Sequence, residues 1–442
     1  MIQRPARGYA VRKQFLSAAA LGGVARAISI MNRFVAVPLT IKLLGQEKYG
    51  LWLIIGSLIG WLGFSDLGIP AALQNRLIQV LRSEGEERAR AVVAFALRLL
   101  LGIGAVVFLG GAILAVAFPW GTVFKIQPGL TGEFSASLVF CLLGFALGMP
   151  SRLGATVYNT HSRLAMGPLV DILAQTASLG MLLLAVWLRW DSLFALVACS
   201  LAGIIVGPVF LTWRAMRAYG YGFSGPPPTP ADKQAILGKG AFFFLTIIGE
   251  LLILQSDALV VGALLGAQSV PLLLIPLGLF INLVQAQSVL LRPLWPILAH
   301  DYSSGNRAGL SRLIQRTLRL SLVLGILFLG ACVLLGPWFI NLWSRGLVQL
   351  SPTMALGLGV FGLLGAMDNA INTCLNAFGY IEIRFGYTLL YGVVKVAASI
   401  WVLKHMSLVW LPLAYALVLL TCSLPFAFWG LLRALHRMPS PR

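Results

Sequence analysis

Residues 91–118 read AVVAFALRLLLGIGAVVFLGGAILAVAF. The run has one charge, Arg98, and no alternation of polar with apolar positions. A strand of a membrane barrel needs that alternation, so the run reads as a helix. At 1.5 Å per residue it reaches about 42 Å, enough to cross about 30 Å of hydrocarbon. Eleven further apolar segments stand on either side, at 15–44, 49–81, 134–160, 166–188, 193–216, 240–265, 268–299, 311–336, 352–378, 385–403 and 408–431. Composition agrees. Of the 442 residues 59% are hydrophobic and 11% charged, and the mean hydropathy is +0.88. A soluble protein carries about 25% charged residues. The formal net charge of +19 does not imply a nucleic-acid partner, because so apolar a chain has too little polar surface to stay dissolved. The expected fold class is an all-α polytopic membrane protein of twelve transmembrane helices.

Cysteine and histidine carry no site. Cys141, Cys199, Cys332, Cys374 and Cys422 lie in apolar stretches without a CxxC pair. His161, His300, His405 and His436 show no HxxxH spacing, so no metal is expected. Arg4, Arg7, Arg12 and Lys13 precede a run, Phe15 to Gly45, that is too long for a signal peptide; it reads as an uncleaved first helix.

Basic residues orient the chain. With both termini cytoplasmic, nineteen Lys and Arg fall in inside segments and six outside, at Lys42, Lys48, Lys125, Arg189, Arg345 and Lys404. The longest polar connection, Tyr219 to Lys239, contains Gly225-Pro226-Pro227-Pro228-Thr229-Pro230. It divides the chain into an N-lobe at 1–218 with six helices, a cytoplasmic Pro-rich linker at 219–239, a C-lobe at 240–432 with six more, and a cytoplasmic tail at 433–442. The linker reads as a non-helical hinge. A weak repeat at an offset of 221 places Leu44-Gly45 on Leu265-Gly266 and Arg98 on Arg319. No GxxxxGK[ST] motif or large extramembrane domain is present, so neither an ATPase nor an enzyme is expected.

With Lys42, Arg214, Arg312 and Arg316, near span ends, counted with the connecting segments, eight cations lie within the expected spans: Arg26, Arg33, Arg76, Arg98, Arg152, Arg292, Arg319 and Lys395. At about 2.5–3.5 kcal/mol each, such residues face a wet cavity, pair with acids, or snorkel to the interface. Arg26 and Arg33 stand within about 6 Å of the middle of the first span and share a face, with Asn32 beside them. Five acids also lie in spans: Asp66, Asp171, Glu250, Asp257 and Asp368. Glu250 and Asp257 share a face of span seven, the repeat partner of span one. A basic stripe in one lobe is therefore expected to oppose an acidic stripe in the other, as a breakable contact or a static one. Asp66-Leu67-Gly68-Ile69-Pro70 and Arg292-Pro293-Leu294-Trp295-Pro296 interrupt spans two and eight. Proline breaks at matching places in two halves point to a transport site or to a packing kink. Gln74, Asn75, Gln175, Asn369, Asn372 and Asn376 add amides that bridge helices or meet hydroxyls in a cavity.

The stretch Leu43-Leu44-Gly45-Gln46-Glu47-Lys48-Tyr49-Gly50-Leu51-Trp52, followed by Phe64-Ser65-Asp66-Leu67-Gly68, resembles the "LG…YG.w…D.G" signature of polysaccharide biosynthesis flippases. These include the O-antigen (Wzx-type) flippases of the MOP exporter superfamily. Gln255-Ser256-Asp257, Gly262-Ala263-Leu264-Leu265-Gly266 and Arg292-Pro293-Leu294-Trp295-Pro296 are similar in the second half. One departure is Val270-Pro271, where Tyr or Phe usually follows the second "LG". The resemblance covers roughly residues 14–432.

The resemblance implies two pseudo-symmetric six-helix lobes of MOP/MATE type in the bacterial inner membrane. The implied activity is translocation of a polyprenyl-diphosphate-linked oligosaccharide for O-antigen, capsule or exopolysaccharide synthesis. The eight cations would hold the diphosphate, since arginine offers a bidentate fork for phosphate. Asn32, Gln74, Asn75, Asn369 and Asn372 are the glycan-contact candidates. The five acids are candidates for coupling to H⁺ or Na⁺, with no other cofactor. Implied partners are the lipid-linked glycan, the bilayer and membrane proteins of polysaccharide assembly. The alternatives are a multidrug/cation antiporter of the same superfamily and a lipid II-type flippase. The excess of eight cations over five acids favours an anionic cargo over the antiporter.

Overall fold

The computed structural model describes residues 5–62, 68–237, 240–291 and 293–438, and these form helices with no strand among them. In chain order the helices are α1 Pro5–Leu62, α2 Ile69–Ser83, α3 Glu86–Ala117, α4 Trp120–Val123, α5 Thr131–Thr160, α6 Met166–Trp187, α7 Leu193–Tyr219, α8 Pro230–Leu237, α9 Gly240–Leu265, α10 Val270–Leu291, α11 Leu294–Ser303, α12 Arg307–Leu334, α13 Gly336–Trp343, α14 Pro352–Ala377, α15 Ile381–His405, α16 Leu411–Cys422 and α17 Leu424–His436. Eleven segments among the described residues are long and apolar enough to cross a bilayer. One of them, Ala20–Leu62 in α1, has 43 residues. At 1.5 Å per residue that is about 65 Å, twice the hydrocarbon thickness. The helix is interrupted at Gly45, with φ 74° and ψ 179°. Counted as two crossings, it accounts for the difference between eleven and the expected twelve.

Gly45 has a counterpart. Gly266, at the repeat offset of 221, has φ 94° and ψ 161°. This combination of positive φ and extended ψ is open essentially only to glycine. The two "LG" pairs therefore end a long helix with the same backbone bend. Pro271, in the departure from the family pattern, sits in the first turn of α10, where its missing N–H removes no intrahelical bond.

The chain forms two compact units, Met1–Phe244 and Leu245–Arg442. In unit 1, α5 packs on α3 and α7, and α6 packs on α1 and α7. Gly154 lets α5 approach α7 so closely that an added Cβ would lie 2.6 Å from the backbone of Thr212, whose hydroxyl accepts the Gly154 N–H at 3.0 Å. In unit 2, α14 is the central helix and touches α10, α12, α16 and α17. Burial separates lipid-facing from core helices: 17% of the apolar window of α3 is buried, against 61% for α14. Accordingly α3 exposes Val106, Leu109, Ile113 and Val116, an outer face suited to acyl chains.

Breaks fall where the prolines place them. α1 ends at Leu62 and α2 starts at Ile69, with Pro70 in its first turn. α10 ends at Leu291 and α11 starts at Leu294, after Pro293. A third break was not expected: span twelve splits at Ser423 into α16 and α17, with Pro425 in the first turn of α17.

The linker differs from the expected non-helical hinge. Pro230–Leu237 is the helix α8, because proline is tolerated in a first turn and Thr229-Pro230-Ala231-Asp232 forms a capping box. The Asp232 carboxylate accepts the Thr229 N–H at 2.8 Å, and Thr229 Oγ1 accepts the Asp232 N–H at 3.3 Å. Tyr221 and Ile236 are buried in the same apolar cluster as Leu77, Val80 and Val93 of unit 1.

Candidate functional site

Unit 2 contains a polar cavity of about 410 Å³ between α9, α10, α14, α15 and the α16–α17 break. α14 supplies Asp368, Asn372 and Asn376 from one face, by their four-residue spacing. Asp368 accepts hydrogen bonds from Asn372 Nδ2 and Ser423 Oγ, both at 2.8 Å. The Tyr387 hydroxyl donates to Asn372 Oδ1. Arg384 and Glu250 form an ion pair at 2.9 Å on the wall, each about one-third exposed. Asn369 donates to Gln287 Oε1 at 3.1 Å and to Ser288 Oγ at 3.2 Å. Phe280 and Phe361 also line the space, stacked with ring centroids 4.0 Å apart. Fixed amides, carboxylates and hydroxyls against aromatic faces suit a polyhydroxylated ligand. The structure thus brings Glu250, Asp368, Asn369 and Asn372 to one cavity. It adds Arg384, Tyr387 and Ser423, which the sequence did not single out. Pro425 was the available signal for Ser423, because the residues before a proline-started helix expose polar groups.

Lys395 and Asp257 lie elsewhere in unit 2, and their placement corrects two expectations. Lys395 Nζ donates to Asp257 Oδ1 at 2.7 Å and to the Ile253 carbonyl at 2.6 Å, and stands 4.5 Å from the centre of the Tyr415 ring. The Tyr415 hydroxyl donates to Asp257 Oδ1 at 2.9 Å, and Ser399 Oγ donates to Tyr415 at 3.2 Å. The side chains of Lys395 and Asp257 are 2% and 5% exposed. Lys395 and Asp257 are thus each other's buried partners here, rather than groups standing open to a ligand. The expected opposition of Glu250 and Asp257 to Arg26 and Arg33 also changes: both acids have cationic partners inside unit 2, Arg384 and Lys395.

Unit 1 treats its cations differently. Arg26 and Arg33 on α1, Arg98 on α3 and Arg152 on α5 are exposed. Arg98 Nε returns to the Ala94 carbonyl at 3.2 Å. Asn32 Nδ2 donates to the Gln175 carbonyl at 2.7 Å, tying α1 to α6, so this amide bridges helices. Asp171, one turn before Gln175, is exposed; on α2, Gln74 is half-buried and Asn75 exposed. In unit 2, Arg319 on α12 is exposed. Asp66 and Arg292 lie outside the described residues.

Arg76 is not gathered with the other cations. It donates to Asp232 Oδ1 at 2.9 Å and pairs with Glu84 at 2.9 Å. Arg88 also pairs with Asp232 and donates to the Pro227 carbonyl at 3.1 Å. Burial alone would push the Asp232 carboxyl up. Hydrogen bonds from Thr229 and Arg76, with the charge of Arg88, outweigh burial and hold it below the usual carboxylate range.

Comparison with known proteins places this architecture. No family model matches the chain. It is 23% identical over 318 residues to a putative O-antigen transporter of Salmonella typhi, covering 70% of this chain and 68% of that protein. It is 38% identical over 52 residues to a putative O-antigen export protein of Yersinia pseudotuberculosis, a match spanning only 12% of each. Among solved structures, an inward-facing multidrug resistance MATE family transporter of the MOP superfamily superposes with a TM-score of 0.76, at 13% identity over 94% of this chain and 98% of that one. The lipid II flippase MurJ, in an inward closed conformation, gives 0.68 at 11% identity over 94% and 90%. At these identities the structural likeness is one of fold. The fold and the sequence likeness agree with the "LG…YG" resemblance: this chain is a multi-pass, all-helical membrane protein with the MOP-superfamily fold, similar over most of its length to an O-antigen transporter.

Proposed function

We propose that the protein is a flippase that carries a polyprenyl-diphosphate-linked oligosaccharide across the bacterial inner membrane. The observation that carries this reading is the likeness to an O-antigen transporter over 318 residues. The chemistry of the two units supports it. Exposed Arg26 and Arg33, seven residues apart on α1, offer paired guanidinium forks to a diphosphate. The cavity of unit 2 offers Asn369, Asn372 and hydroxyls to sugar groups. The lipid tail stays in the bilayer while the units alternate access to the two sides, with both termini in the cytoplasm. Glu250 and Asp368 are the acids available to bind a coupling H⁺ or Na⁺. Membrane proteins of polysaccharide assembly are the natural partners.

A second reading, a cation antiporter, draws on the same cavity, where two carboxylates face one guanidinium, that of Arg384. One assay separates the two. Vesicles containing the purified protein and a fluorescent undecaprenyl-diphosphate oligosaccharide are challenged with an impermeant reagent that modifies only outer-leaflet glycan. Protein-dependent exposure of the inner pool is expected, with no uptake of a cationic dye under an H⁺ or Na⁺ gradient. Dye transport without glycan translocation would overturn the flippase reading.

A further inference from the structure

The Asp232 cluster has a consequence for the moving parts. Asp232 is fully buried, although it lies in the polar, proline-rich segment 219–239. It receives guanidinium groups from two different helices, Arg76 of α2 and Arg88 of α3, besides the two donors of Thr229. Neighbouring residues add to the attachment. A Cβ on Gly225 would lie 3.2 Å from the backbone of Ala91 on α3, so the proline-rich stretch lies directly on that helix. His161 stacks on Tyr219 with centroids 3.8 Å apart, and its Nε2 lies 3.2 Å from the Tyr221 hydroxyl. Residues 220–237 are therefore fastened to unit 1 by a buried ion cluster at one end and an aromatic group at the other.

We propose that Asp232 is a latch that makes the linker part of unit 1. With the latch closed, only residues 238–239 separate the anchored helix α8 from α9, the helix within which unit 1 gives way to unit 2. With it open, the connection lengthens to residues 220–239. The latch also holds α2, the half-helix after the break in span two, because Arg76 belongs to α2. Asp232, Arg76 and Arg88 are then positioning residues. They set how far one unit can move against the other without touching cargo. The effect on transport rests on the flippase reading; the anchoring of the linker does not.

Hydrogen–deuterium exchange of the full-length protein in lipid nanodiscs tests the anchoring without any substrate. Asp232→Ala is expected to make amides in 220–237 exchange roughly 100-fold faster, since two arginines lose their buried partner. Peptides from α5 and α7 should keep wild-type protection. Asp232→Glu, which retains the charge, should restore much of the protection. Equal, fast exchange of 220–237 in wild type and Asp232→Ala would overturn the latch. So would slow exchange in both. In the vesicle assay, Asp232→Ala should change the rate of glycan translocation several-fold while binding of the lipid-linked glycan is retained. An unchanged rate with a released linker would overturn its role in the cycle. Absence of glycan transport by wild type would fault the flippase reading and leave the exchange result standing.

Discussion

The first long helix of each half carries two ionisable residues seven apart, and the protein resolves them in opposite ways. On α9, Glu250 and Asp257 are acids, and each is matched by a cation of α15: Arg384 at 2.9 Å and Lys395 at 2.7 Å. On α1, Arg26 and Arg33 are cations and both are exposed. The neighbouring Asn32 spends its amide on α6 rather than on a charge. A charge that is matched inside its own unit holds that unit together. A charge left at the surface of a membrane protein carries a desolvation cost of some kcal/mol that only an aqueous or anionic environment removes. The same sequence pattern, a pair at i and i+7, is therefore engaged in ion pairs to a neighbouring helix on α9 and stands at the exposed face of α1.

The strongest test of this contrast is Lys395→Ala. Removing one member of a buried pair leaves Asp257 without its cation beside Tyr415, at a cost of about 3–5 kcal/mol. Thermal unfolding in detergent should show a large loss of Tm, and the double variant Lys395→Met/Asp257→Leu should regain much of it. A stable Lys395→Ala protein that had lost glycan translocation would move Lys395 back into the binding set and erase the difference between the halves.

What the sequence revealed and what it hid follow the distance over which a feature is determined. The spans are set by local hydropathy, and α3, α5, α6 and α7 lie close to the ranges expected for them. The bends at Gly45 and Gly266 were visible as a repeated "LG", though the left-handed φ was not. The breaks at Pro70 and Pro293 announced themselves, because proline cannot continue a hydrogen-bonded helix. Partnerships between distant residues were hidden. Asp257 and Lys395 are 138 positions apart, and periodicity says nothing about which helices meet. Arg384 stands just before the apolar run 385–403, so hydropathy leaves it outside the span although it lies in the first turn of α15. The capping box at Thr229 and Asp232 was a local signal that the prolines around it obscured.

Arg33→Ala tests the other side of the comparison. Stability should stay within about 0.5 kcal/mol of wild type, as for surface positions. Glycan translocation should fall about 10- to 100-fold, the worth of a lost charge-assisted bond to phosphate. Arg33→Lys should retain part of the activity, since the charge survives without the bidentate fork. Full translocation by Arg33→Ala would make the exposed pair on α1 a snorkelling feature. Asp232 supplies a pH-dependent test. Its carboxyl lies below the usual carboxylate range in the folded protein, so its contribution is complete above about pH 4 and is lost as pH falls through the folded value. The Tm difference between wild type and Asp232→Asn should accordingly be constant near neutrality and shrink as the pH drops below 4. A difference that grew on acidification would contradict the clamp.

Arg384→Gln should have a small effect on stability and is the most discriminating within α9. Its ion pair with Glu250 is about one-third exposed, so solvent screens it and the loss should be under about 1 kcal/mol. The two acids of α9 then differ from each other as well as from the cations of α1: Asp257 is fixed in the core, while Glu250 lies on a cavity wall where its partner can be exchanged. If Glu250 belongs to the transport site, Arg384→Gln should alter translocation more than it alters Tm, and Glu250→Gln should do the same. If both variants change Tm by as much as Lys395→Ala, the pair is a structural tie like the one below it. Unit 2 would then hold its charges for packing alone, and the search for cargo contacts would return to α1.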